Sequence, residues 1–151
     1  MIKIITIGKK HESWVAEGIE RYSKRLRAPW NVEWVLLPHS AEEGTRARDN
    51  ESHTIRKRLA PTDTVILLDE RGTQLDSSTL SDVVVDYFVR GKQLVFVIGG
   101  AYGVDKELRA RADLVLSLSS LVLPHQLVRL VVVEQLYRAQ CIATAHPYHH
   151  L

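Results

Sequence analysis

The sequence predicts an α/β fold, a parallel sheet with helices on both faces, and three observations carry that prediction. Short apolar or β-branched runs alternate along the chain with segments of helical periodicity. Three of the runs are apolar throughout, as strands covered on both faces are. No stretch rich in Gly, Ser or Pro separates the elements and there is no internal repeat, so residues 1–151 read as one domain.

The elements follow in order. Ile2–Ile7 is a β-branched run closed by Gly8 and reads as a buried strand, with Lys9-Lys10-His11 as a basic turn behind it. Val15, Ile19, Tyr22 and Leu26 recur at spacings of 4, 3 and 4 among charged residues, which predicts an amphipathic helix over 12–26 that ends near Pro29. Val32–Leu37 is a second strand, stopped by Pro38. Residues 39–52 are polar and poor in apolar side chains, so a mobile loop is expected there, running into a helix that ends near Leu59.

Val65–Leu68 is a central strand, with Asp69-Glu70-Arg71-Gly72 as a turn at its carboxyl end. Ser77 or Ser78 is expected to cap a helix through Val89 that Gly91 terminates. Leu94–Ile98 is another strand, 105–112 a short charged helix and Leu114–Leu118 the last strand. Pro124 stands where a first-turn proline starts a helix, here one running to about Thr144.

Composition narrows the function. With 45% hydrophobic and 25% charged residues the chain is an ordinary globular one. A net charge of +2 permits an RNA partner only if the positive groups gather on one face. The single Cys141 excludes an internal disulfide. No run approaches the roughly 20 apolar residues of a membrane span, and Met1 leads into a strand rather than a signal peptide, so a cytoplasmic protein with no membrane partner is expected. One cysteine and a short His-rich tail do not make a zinc site, and no metal is expected.

The C-terminal third holds the candidate site. Gly99, Gly100 and Gly103 form a turn after a strand; alone this is weak, since it matches neither the dinucleotide fingerprint nor a phosphate loop. Ligands in open parallel sheets, however, bind beyond the carboxyl ends of the strands. Leu68, the pair Gly99-Gly100, and the loop Leu118-Ser119-Ser120-Leu121-Val122-Leu123 all stand at such ends and predict one shared pocket.

His125 follows at a helix N-terminus, where either a polar cap contact or a catalytic ring would suit. Arg129 lies at i,i+4 from it, so the two are expected to point a donor fork and a titratable ring at one phosphate or base. Glu134 and Arg138 are also at i,i+4; a surface ion pair is the better reading for Glu134 on spacing alone, while Arg138, beside Tyr137 and the tail, is a candidate RNA contact. Lys9 and Lys10 would form a basic rim, and His146, Tyr148 and His149 suit stacking and phosphate contact with RNA. No Ser-His-Asp set can be assembled, and Cys141 lies in a buried pattern, so covalent catalysis is not expected.

Certain strings carry more than spacing. The opening strand with Gly8-Lys9, Val97-Ile98-Gly99-Gly100, Leu116-Ser117-Leu118-Ser119, Leu123-Pro124-His125-Gln126-Leu127-Val128-Arg129, Glu134-Gln135-Leu136-Tyr137-Arg138-Ala139 and His146-Pro147-Tyr148-His149 resemble the ribosomal large-subunit pseudouridine N3-methyltransferases, small members of the SPOUT superfamily. The likeness runs end to end and is thinnest over 39–62. It implies a trefoil knot near the C-terminus, S-adenosylmethionine held by Leu68, Gly99 and 118–123, a homodimer, and methylation of N3 of a pseudouridine in 23S rRNA of the assembled ribosome.

Methyl transfer to such a nitrogen requires loss of the N3 proton, to a base or with cationic help. Arg129 and Arg138 are candidates for the second role, Arg129 ahead; His125, Glu134 and Tyr148 are candidates for the first. A dimer is also expected because the last helix carries valines and leucines on more than one face, too many for a helix covered on one side. The competing reading is a non-catalytic ribosome- or RNA-binding module with the same basic rim and tail.

Overall fold

The computed structural model describes residues 1–149, apart from the His149 side chain. Strands and helices alternate as β1 (Ile2–Ile7), α1 (Ser13–Ser23), β2 (Val32–Leu37), α2 (Gly44–Arg56), β3 (Thr64–Gln74), α3 (Ser77–Val89), β4 (Leu94–Ile98), α4 (Lys106–Arg111), β5 (Leu114–Ser117) and α5 (His125–Ala143), followed by a 3₁₀ turn at Pro147–His149. The strands form one parallel sheet in the order β2-β1-β4-β3-β5.

Strand alternation divides the core in two. Ile2, Ile4 and Phe96 point to the face covered by α1, α3 and α5, while Ile5, Ile7, Val95 and Val97 point to the face that holds Ile55 of α2 and Leu108 of α4. Burial of both faces is why these strands are continuous apolar runs. No helix among the described residues is long and apolar enough to cross a membrane.

Four expectations are corrected. The polar stretch taken for a mobile loop is largely helix: α2 begins at Gly44, and its buried stripe is Ala47, Glu51, Ser52 and Ile55. That stripe has helical spacing but is small and polar, so counting apolar residues misses it. Asp69–Gly72 is not a turn: β3 continues to Gln74, pairing with β5 at Leu68↔Leu116 and again at Thr73↔Leu116 across a bulge. Within the bulge side chains hold the main chain: the Arg71 N–H donates to Asp69 Oδ1 at 2.9 Å and the Ser117 hydroxyl to the Glu70 carbonyl at 3.1 Å.

The cap of α3 is Asp76, whose carboxylate accepts the Thr79 N–H at 2.7 Å, while the Ser77 hydroxyl donates to Gln135 of α5. Finally, α5 is covered by its own chain on both flanks. It packs between α1 and α3 against the sheet, burying Val132, Val133, Leu136 and Ala139, so its many apolar positions do not by themselves require a second copy.

Candidate functional site

The carboxyl ends of β3, β4 and β5 open onto one cavity of about 350 Å³. Leu68–Arg71 line it from β3, Ile98–Val104 from the end of β4, and Leu116, Leu118, Ser119, Leu121 and Leu123 from the end of β5, with His125 and Val128 of α5 closing the wall. Of the predicted cofactor residues, Leu68, Gly99, Gly100, Leu118, Ser119, Leu121 and Leu123 lie on this wall. Ser120 and Val122 do not: Ser120 instead accepts from Gln74, and Val122 is 79% exposed.

Local chemistry holds these segments in place. The turn after β4 closes on itself, with the Gly103 N–H donating to the Gly100 carbonyl at 3.0 Å and Gly103 at φ +75°, a region open to glycine. The Ser117 hydroxyl lies 3.1 Å from the Glu70 carbonyl and 2.9 Å from that of Ser119, tying β3 to the loop beyond β5. Asp69 is gripped by Arg71 and by Arg109, the latter at 2.7 Å. Burial alone would raise its carboxyl, but the hydrogen bonds and charges of the two arginines hold it below the usual carboxylate value.

His125 is half-buried on the cavity wall, and its Nδ1 is buried with no hydrogen-bond partner among the described residues. Burial, then the charges of Arg129 and His39, push its pKa below the ordinary 6.5, against smaller opposing pulls from Glu12 and Glu51. The ring is therefore neutral at pH 7 and able to accept a proton.

Arg129 does not point the way its spacing suggested. It is 0% exposed, and its guanidinium turns back onto the end of β1: Nη1 donates to the Lys10 carbonyl at 3.0 Å and Nη2 to the Ile7 carbonyl at 2.9 Å, with His11 Nδ1 at 3.2 Å. Gly8 makes this possible, since a Cβ there would stand 2.6 Å from Nη2. A side chain so enclosed offers no donor to an RNA backbone, and the expectation that Arg129 contacts RNA is corrected accordingly. Lys9 and Lys10, by contrast, are exposed beside the clamp.

The remaining candidates gather elsewhere. Glu134 Oε1 accepts from Arg138 Nη2 at 2.7 Å and from the Tyr148 hydroxyl at 3.2 Å, and Glu134 Oε2 accepts from Gln135. The Arg138 guanidinium also stacks 5.0 Å from the Tyr148 ring centroid. Burial, a hydrogen bond with Tyr22 and the nearby Glu134 charge push the Tyr148 phenol well above its ordinary pKa, so it makes a poor proton acceptor. None of these three lines the cavity; on a helix rising 1.5 Å per residue, Glu134 stands about 13 Å along α5 from His125. His146 is exposed and its Nδ1 accepts the Tyr148 N–H. The His149 side chain, also expected to meet RNA, lies outside the described residues.

Sequence reasoning passed over two residues near the site. Glu51, on α2, is 5% exposed, and His39, at the end of β2, sits with its ring centroid 6.3 Å from that of His125. Neither belongs to a motif, and the only signal was an acidic residue in a helical stripe otherwise small or apolar.

Comparison with known proteins adds an independent line. The family described as "Predicted SPOUT methyltransferase" matches residues 1–149. The protein named "Ribosomal RNA large subunit methyltransferase H" from Acidiphilium cryptum is 41% identical over 148 residues, covering 98% of this chain and 92% of that protein. Its namesake from Acetivibrio thermocellus is 40% identical over 156 residues, covering 98% of each. Among solved structures, the SpoU methyltransferase AviRb from Streptomyces viridochromogenes, crystallised with AdoMet, aligns with a TM-score of 0.48 at 12% identity over 93% of this chain and 58% of its own.

Proposed function

The chain belongs to the SPOUT methyltransferase family, and from that membership we propose that it transfers a methyl group from S-adenosylmethionine to N3 of a pseudouridine in 23S rRNA of the assembled ribosome, acting as a cytoplasmic homodimer of single-domain, knotted subunits. The observation that carries this reading is that three segments remote in sequence, at 68–71, 98–104 and 116–123, wall one cavity beside a neutral histidine. The names of the full-length relatives support the rRNA substrate.

The cavity suits the cofactor. Its volume falls within the range of small-molecule pockets, roughly 300–1,000 Å³, and Leu68, Leu116, Leu118 and Val128 give an apolar bed for a purine ring with Ser119 and the glycine turn at its rim. Leu68, Gly99, Gly100, Leu118, Ser119, Leu121 and Leu123 would hold it. When bound, S-adenosylmethionine supplies an electrophilic methyl on a sulfonium.

What the protein adds is placement and proton removal. His125, uncharged and on the wall, takes the N3 proton of the base as that nitrogen becomes the nucleophile. Arg129 works from beneath the surface: by tying Ile7 and Lys10 it fixes the turn that presents Lys9 and Lys10 to phosphates. Glu134 and Arg138, too far along α5 to serve the cavity of their own subunit, brace the C-terminal tail through Tyr148, and His146 and Tyr148 reach the RNA at the partner's site. A dimer then follows from the need to complete the site rather than from the apolar count of α5.

The test is incubation of the purified protein with methyl-labelled S-adenosylmethionine and either assembled ribosomes, isolated 50S subunits or naked 23S rRNA, followed by nucleoside mass analysis. N3-methylpseudouridine should form on ribosomes and barely on naked RNA, because few cations are available to grip free phosphates. Absence of label from every substrate, or no heat of cofactor binding in calorimetry, refutes the reading, and a stable monomer at micromolar concentration in sedimentation refutes the dimer.

A further inference from the structure

We propose that Glu51 and His39 form a positioning pair for the site that His125 serves, Glu51 fixing the His39 ring edge-on against His125 and propping the glycine turn at position 100 from below. The proposal rests on the methyl-transfer reading above and extends it to two residues remote from every motif.

Glu51 is an expensive residue to keep. A carboxylate in a helix stripe that is 5% exposed loses most of its hydration, and an apolar side chain of similar volume would cost less. Its two oxygens do different things. Oε2 accepts the Ser40 N–H at 3.0 Å and lies 3.9 Å from His39 Nδ1, so it holds the end of β2 and the imidazole that follows. Oε1 is buried without a partner and occupies the space where a Cβ on Gly100 would lie, 2.5 Å away. Gly100 is on the cavity wall, so the carboxylate underlies the turn that meets the cofactor.

From His39 the contacts continue inward. Its ring stands at 80° to that of His125, edge to face. Carboxylate, imidazole and imidazole thus lead from the α2 face to the cavity, ending at a His125 Nδ1 that is buried with no hydrogen-bond partner among the described residues. In such an array the outer groups set the tilt of the inner ring by packing and bias its charge through the field, without touching substrate. The charged and titratable groups facing His125 are Arg129 on its own helix, His39, Glu12 and Glu51, with Asp69 and Arg71 across the cavity. Of these, Glu51 raises the His125 pKa and His39 lowers it.

The two members therefore make opposite predictions. E51Q keeps the shape and an acceptor for Ser40 but removes the charge, so His125 titrates at lower pH; H39Q removes the neighbouring imidazole that lowers the His125 pKa, so His125 titrates at higher pH. The experiment measures kcat and KM on ribosomes between about pH 5.5 and 8.5, His125 titration by NMR, cofactor affinity by calorimetry and melting temperature. Both variants should lose about tenfold or more in kcat, the scale on which an orienting partner acts, with cofactor affinity and melting temperature near wild type. The acid limb and the NMR titration should move down in E51Q and up in H39Q.

An unmoved His125 titration in both variants overturns the proposal, as does a loss that appears only as weaker cofactor binding or a lower melting temperature. If E51Q fails to fold, H39Q decides alone, since His39 is 58% exposed and its replacement leaves the core intact. If the wild-type protein transfers no methyl group, the functional reading fails, yet the NMR titrations still decide whether the pair controls His125.

Discussion

Replacing Arg129 by alanine distinguishes an architectural arginine from a chemical one. The side chain is wholly buried and makes two short hydrogen bonds to main-chain carbonyls, at 3.0 Å to Lys10 and 2.9 Å to Ile7. Bonds from a charged donor are worth about 1.5–3 kcal/mol each, which gives roughly 3–6 kcal/mol for the pair, and truncating a large buried side chain adds a cavity term of the same sign. Relief of an ion buried without a carboxylate partner works in the opposite direction, so a net loss of about 3–4 kcal/mol is expected. For a chain of 151 residues this corresponds to a melting temperature lower by roughly 6–16 °C, at about 2–4 °C per kcal/mol. Urea unfolding followed by tryptophan fluorescence reads the change well, because Trp34 lies 4.6 Å from the His11 ring that Arg129 touches. Arg129→Lys should recover little, as one ammonium cannot reproduce the spread of the guanidinium fork. An Arg129→Ala protein as stable as wild type but inactive would refute the clamp and return Arg129 to the chemistry.

Three other expectations follow. The pKa values of both His11 and His125 are lowered, chiefly by burial and next by Arg129, so the unfolded chain takes up protons near pH 6.5 before the folded one does. Stability should therefore fall as pH drops from about 6.5 toward the folded values and be fully present above it, with a flatter dependence in Arg129→Ala; urea midpoints at several pH values check this. Gly100→Ala places a methyl 2.5 Å from Glu51 Oε1 and should weaken cofactor binding by about tenfold, or ~1.4 kcal/mol, in calorimetry. Tyr148→Phe loses the 3.2 Å bond to Glu134 and should cost about 1 kcal/mol of stability and most of the methyl transfer, with cofactor affinity retained; unchanged turnover on ribosomes would remove the tail from the site.

The parts of the fold legible in the sequence are those governed by local pattern. Ile2–Ile7, Val32–Leu37 and Leu94–Ile98 are strands with the bounds their apolar runs suggest, and the strand-end rule placed Leu68, Gly99 and Leu118 on one cavity. Where the chain was misread, distant segments supply what local pattern lacks. The polar end of β3 is a strand because β5 pairs with it past a bulge. Helix α2 is invisible to an apolar count because Glu51 and Ser52 fill its buried stripe. Arg129 and His125 share a helix side, yet which way an arginine turns depends on where acceptors are. Those acceptors come from the end of β1, more than a hundred residues earlier. Glu51 and His39 matter only through each other and Gly100, and no window along the sequence contains all three.

The fastening of β1 to α5 reaches beyond the fold. Lys10 and Arg129 are 119 positions apart, and Gln126 adds a second tie by accepting the Glu12 N–H and donating to Lys10. The Gly8 N–H, donating to the Leu37 carbonyl, ties the same end to β2, so the turn at Lys9-Lys10 is held from two sides, by the neighbouring strand and by a helix far along the chain. A fragment lacking α5 loses the second of these ties. It would also leave Ile2, Ile4 and Phe96 without a helix that covers their face of the sheet, so one element completes both the basic turn and the core.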